Sequence, residues 1–268
     1  MTTATEGRPD SRDLRAAFTA ARARVGLVTA LFGLTIAGWW WTAGQMRGMD
    51  DGPWTHLGGI TWFLSVWVVM MAAMMFPSIA PTVALQARMT RQRSPLLPMA
   101  FVGGYLVTWT AAGIAALAVG GAVGAVSGGV LEFDRAGRWI AGATLVVAAV
   151  YEVTPLKDVC LGRCRSPLGF LLGSWRDGVT GALQMGMKNG AWCVGCCWAL
   201  MASLFALGIM SVFWMAVVAG VITFQKLVPW PRIASYGAAV ILAALAGIVL
   251  IAPTALPWLT TPASAMRM

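Results

Sequence analysis

The sequence predicts an all-α protein, a polytopic bundle of about seven transmembrane helices (six to seven) with a cytoplasmic N-terminus. Three observations carry that expectation. Of the 268 residues, 59% are hydrophobic and only 11% charged, whereas a water-facing domain of this size carries about a quarter charged residues. The apolar residues fall in long runs, and a bilayer core needs about 20 of them per helix. The basic residues, finally, lie between those runs rather than in one patch. The formal charge of +9 therefore reads as membrane topology, not as a nucleic-acid surface.

The N-terminal segment 1–24 is rich in Arg and Ala and is expected to form a cytoplasmic basic stretch without a core of its own. A single transmembrane domain follows over 25–256, and 257–268 form a tail. The first apolar run, 25–43, closes on Trp39, Trp40 and Trp41. This is expected to be the aromatic belt of a retained helix rather than the small-residue site of a cleaved signal. The second run, 58–82, holds Pro77 and Pro81, which are expected to kink or end its helix. The further runs are 99–126, 138–156, 190–209, 212–229 and 235–256. In the third, Gly120, Gly124 and Gly128 recur every four residues, a pattern suited to close helix contact.

Topology follows from the charges. With seven alternating spans and the N-terminus inside, fifteen Lys and Arg fall inside and only Arg47, Arg135, Arg138 and Arg267 outside. Both cysteine groups then lie on the cytoplasmic side, where thiols are held reduced and structural disulfides are disfavoured. Cys160 and Cys164 follow the fourth run. Cys193, Cys196 and Cys197, in GAWCVGCCWALM, head the fifth.

On a helix, residues three and four apart share a face, so Cys193, Cys196 and Cys197 converge. Cys160 and Cys164 converge in the same way if VCLGRCR is helical. Together they offer up to five soft donors, suited to Cu(I), Zn(II) or iron–sulfur clusters. The one histidine, His56, lies in an outside loop and cannot join them. In VVMMAAMMFPSIAP, Met70, Met71, Met74 and Met75 fall at helical spacing. Thioethers bind Cu(I) well and Zn(II) poorly, so Met71, Met74 and Met75 beside the thiols favour copper(I), with zinc second. Buried cysteines and methionines also serve simply as packing. Glu152, inside the fourth run, is costly in a membrane and needs a partner or a wet cavity. Lys157 is the nearest candidate.

WVVMMAAMMFPSIAP, YEVTPLKDVCLGRCRSPLGF and GAWCVGCCWALM together resemble a bacterial family of uncharacterised proteins, known as predicted metal-binding integral membrane proteins and in part as copper chaperones. The resemblance covers roughly residues 60 to 230. It implies a place in the bacterial cytoplasmic (inner) membrane and points to Cys160, Cys164, Cys193, Cys196 and Cys197. The chain departs from the family pattern at Ser211, where Asn is common after the Met, and at Gln225, where an acidic residue commonly precedes the Lys. Those departures weaken a transport or proton-coupled role and leave the thiols intact.

The leading expectation is a membrane-embedded soft-metal binder acting in metal delivery, with the bilayer, the metal ion and another membrane or metal-carrier protein as partners. An accessory or assembly subunit with packing or structural-zinc cysteines is the alternative. A thiol–disulfide enzyme using the C-x-x-C of Cys193 and Cys196 is the third reading, which the reducing side opposes. No Walker A and no G-x-S-x-G occurs, so an enzyme is not expected.

Overall fold

In a computed structural model of the chain, residues 11–46, 60–90, 94, 96–127, 138–206 and 212–251 are described here. They form helices joined by short connections, with no strand among them: α1 (Ser11–Met46), α2 (Ile60–Met89), α3 (Leu96–Ser127), α4 (Arg138–Glu152), α5 (Pro155–Arg165), α6 (Pro167–Ser174), α7 (Gly178–Ala206), α8 (Val212–Leu227) and α9 (Pro231–Ile251). His56 lies outside the described residues.

Among these residues, four helices are long and apolar enough to cross a membrane: Gly26–Gln45, Ile60–Met89, Leu96–Ala122 and Pro231–Ile251. A fifth is added if α4 and α5, bent by 65° at their junction, count as one broken span. That is fewer than the seven runs of the sequence. The run at 212–229 makes a helix of 16 residues, short of the bilayer length. The thiol-bearing α7 is not among the four. Large apolar side chains cover the outer faces, Ile36, Val240 and Trp40 being 69, 69 and 81% exposed. So apolar an exterior is compatible with a membrane and unlike a surface made for water.

Three boundaries differ from the sequence reading, each for a physical reason. Helix α2 neither stops nor breaks at Pro77 or Pro81 but runs on to Met89. Buried Gln86 (0% exposed) anchors the extension by donating to the Leu97 carbonyl at 3.3 Å, and protein neighbours of this kind let a helix tolerate internal proline. Helix α4 ends at Glu152 rather than at 156, because Thr154 caps a new helix that Pro155 starts. Helix α7 begins at Gly178, twelve residues before the expected run. Gly178 has φ +79, which L side chains rarely adopt and glycine adopts freely. The polar residues Gln184, Lys188 and Asn189 hide this opening third from a hydropathy scan.

Helix α7 packs most extensively on α3, α4 on α9, and α1 on α2. The α3–α7 seam is set by glycine. A Cβ at Gly104 would strike the Leu183 carbonyl, and one at Gly186 would strike that of Phe101. This close contact lies in the same helix as Gly120, sixteen residues before it. Gly120 is only half-buried, and the surroundings of Gly124 and Gly128 lie outside the described residues. This tight seam puts Tyr105 of α3 directly against Cys193 of α7.

Candidate metal centre

Because α7 starts at Gly178, Cys193, Cys196 and Cys197 stand in the interior of a helix of 29 residues, not at its N-terminus. All three are buried, and their sulfurs lie within 4.8 Å of one another. Spacing alone brings them together, on one helical face. The Cys196 and Cys197 thiols donate to the Cys193 carbonyl at 3.2 and 2.8 Å, the back-bonding that polar side chains make inside helices.

Cys193 is the hub. Its sulfur lies 3.0 Å from the Tyr105 hydroxyl and 3.9 Å from the Met75 thioether. It also accepts a hydrogen bond from the Lys226 ammonium at 3.0 Å. Lys226 donates its other bond to Ser78 Oγ at 3.2 Å. Four helices, α2, α3, α7 and α8, thus meet at one sulfur. Pro77 and the Ser78 bond to the Met75 carbonyl at 2.8 Å belong to the same turn of α2 that delivers Met75.

The second cysteine group approaches from the bend. Cys164 of α5 places its sulfur 3.8 Å from that of Cys196, close enough for both to reach one ion through bonds of about 2.3 Å. Helix α5 is pinned there from two sides. Arg165 donates to the carbonyls of Lys226 and Val228 at the end of α8, satisfying acceptors that a helix end leaves open. Arg163 sits over the Trp192 ring, 5.6 Å from its centre. Cys160 takes a different position. It packs on α7 at Gly195, where an added Cβ would come within 3.0 Å of its sulfur. It is outside the group of three mutually close thiols.

Of the methionines, Met71, Met74 and Met75 are all buried, at 0, 1 and 0% exposure. Met75 reaches the thiols, its sulfur lying 3.9 Å from that of Cys193. Met74 lines an apolar pocket of about 450 Å³ with Trp39, Pro77 and Phe224.

A second buried polar group lies behind the bend. Lys157 and Glu152 form an ion pair with both side chains at 0% exposure. Gln225 closes the ring: it accepts from Lys157 at 2.9 Å and donates to Glu152 at 2.8 Å. The partner that Glu152 requires is therefore Lys157, as its position suggested. Gln225, where the resembling family commonly has an acid, completes the set without adding charge.

Two functional groups escape a sequence reading. Lys226 looks like a topological charge, and Tyr105 like one aromatic among many. The ends of their contacts lie 33 and 88 residues apart in the chain, beyond any local pattern. Chemically, the centre offers three clustered thiols, a fourth within reach, one thioether and one ammonium. That donor set fits a soft ion and offers no oxygen-rich shell for a hard one.

A family model described as PpoB2, copper chaperone, matches residues 64–249 of the chain. The matched stretch contains all five cysteines, Met75, Tyr105 and Lys226. No curated protein and no solved structure is similar to it.

Proposed function

The chain belongs to the PpoB2 copper chaperone family, and from that premise we propose that it is a membrane-embedded protein that binds Cu(I) as cargo and hands it to a partner protein. The observation that carries this reading is the buried cluster of Cys193, Cys196 and Cys197 with the Met75 thioether at 3.9 Å. Thiolates hold Cu(I) or Zn(II), but a thioether adds affinity only for the softer ion. We place the chain in the cytoplasmic membrane of a bacterium, with seven spans and the N-terminus inside, in keeping with the charge distribution and the apolar exterior.

The geometry supports delivery rather than catalysis. Cys193 and Cys196 hold the ion, Cys197 and Cys164 stand by as exchange ligands, and Met75 offers a weak third donor. Ligand exchange among neighbouring sulfurs moves the ion without any covalent chemistry, so we assign no enzymatic activity. A second reading has one observation of its own. Cys164, its sulfur 3.8 Å from that of Cys196, brings a fourth sulfur beside the α7 thiols, and four is the number a structural zinc site takes.

Metal content decides between them. Protein purified from cells grown with both copper and zinc is expected to hold near-stoichiometric copper. Zinc alone would replace delivery with the structural reading, and no metal would leave the thiols to packing.

A further inference from the structure

We propose that Lys226 is the selectivity element of this centre, a fixed cation that admits monovalent soft ions and rejects divalent ones. The inference rests on reading the thiol cluster as the metal site and says which charge class that site takes.

Lys226 is buried, at 7% exposure. It donates to Ser78 Oγ, which is neutral, and to the Cys193 sulfur. Among the described residues it pairs with no carboxylate. A buried ammonium needs a compensating negative charge, and of the two groups it donates to, the Cys193 thiol is the one able to supply it. The ammonium and the cargo ion therefore share the same thiolates.

Geometry forces them close. Lys226 Nζ is 3.0 Å from Cys193 Sγ, so an ion bonded to that sulfur at about 2.3 Å stands no farther than about 5.3 Å from the ammonium. The other neighbours of that sulfur, the Tyr105 hydroxyl at 3.0 Å and the Met75 thioether at 3.9 Å, are a neutral phenol and a neutral thioether. Two thiolates, one Cu(I) and the ammonium sum to a neutral centre, and the Met75 thioether adds a ligand without adding charge. The same site with Zn(II) carries a net positive charge. Coulomb repulsion at fixed distance doubles with ion charge and is strong in a buried site. Zn(II) reaches neutrality only by recruiting a third thiolate, from Cys197 or Cys164, a step that Cu(I) does not need; Cys197 would first give up its bond to the Cys193 carbonyl at 2.8 Å.

The test measures both affinities on the purified full-length protein in detergent under anaerobic conditions. Cu(I) and Zn(II) are titrated separately against chromophoric competitors. Lys226→Gln is expected to raise Zn(II) affinity relative to Cu(I) by about 100-fold, and Lys226→Arg to keep the wild-type preference. A ratio in Lys226→Gln equal to that of wild type overturns the filter while leaving Cu(I) binding at the thiols standing. Wild type that binds neither ion overturns the metal reading itself, and the filter with it. If Lys226→Gln does not fold, the wild type alone suffices, using Ag(I) and Cd(II), which are both soft but differ in charge. Strong preference for Ag(I) supports the filter; Cd(II) binding as tight as Ag(I) overturns it.

Discussion

The chain buries two lysines within a few turns of each other and treats them oppositely. Lys157 faces Glu152, and Gln225 bridges the pair, so its charge is cancelled inside the fold. Lys226, the next residue after that glutamine, turns toward Ser78 and Cys193 and finds no carboxylate among the described residues. Both ammonium groups cost desolvation. In the first case the cost is met once and for all by a partner of opposite charge, which ties α4, α5 and α8 together. In the second, the charge balance stays open until thiolates and an ion complete it. A closed group of this kind is architecture; an open one is a binding site.

The largest effect is expected at the hub of the open centre. Cys193→Ser is expected to weaken Cu(I) binding by more than about 100-fold, beyond the roughly 10- to 100-fold usual for residues behind the ligands. It should leave the fold intact, as judged by thermal unfolding in detergent. Undiminished binding would remove Cys193 from the site.

The closed centre should fail in the reverse sense. Glu152→Gln leaves Lys157 buried without its counter-charge and is expected to cost about 3–5 kcal/mol of stability. The double change Glu152→Gln with Lys157→Met should recover most of that loss, because it removes both charges together. If the single variant melts like wild type, the two lysines are not different in kind.

Smaller effects sharpen the picture. Met75→Leu conserves volume, so stability should change by less than about 1.5 kcal/mol. Cu(I) affinity is expected to fall by about 10-fold while Zn(II) affinity holds, since only the softer ion uses a thioether. Equal losses for both ions would make Met75 a packing residue. Smallest of all is Cys160→Ala. Its sulfur rests on Gly195, outside the cluster, so metal binding should be unchanged and stability lowered by about 1 kcal/mol. Loss of binding there would extend the site along α5.

The parts of this molecule legible in its sequence are those that local periodicity controls. The α7 triplet is one, because residues 193, 196 and 197 share a face whatever surrounds the helix. The apolar runs behind α1, α2, α3 and α9 are others. The Glu152–Lys157 pair was visible because both residues flank one turn. Contacts made by folding were not visible. The approach of Cys164 to Cys196 depends on a 65° bend at Thr154 and on Arg165 docking against α8. The place of the thiols deep within α7 was hidden by the polar stretch 184–189, which fills the opening of a helix that hydropathy starts only at 190. Lys226 was hidden by its own type. A lysine near the end of an apolar run is ordinarily a marker of the membrane face, and only the packing of α8 against α2 shows that this one points inward.

Everything proposed for this protein depends on the buried sulfurs around Cys193 holding Cu(I). The copper K-edge absorption spectrum of purified protein loaded with one equivalent of Cu(I) tests it most directly. The expected spectrum shows copper bound by sulfur alone, and that sulfur signal is lost in Cys193→Ser. A shell of nitrogen or oxygen donors, or a sulfur shell that survives in Cys193→Ser, would contradict it.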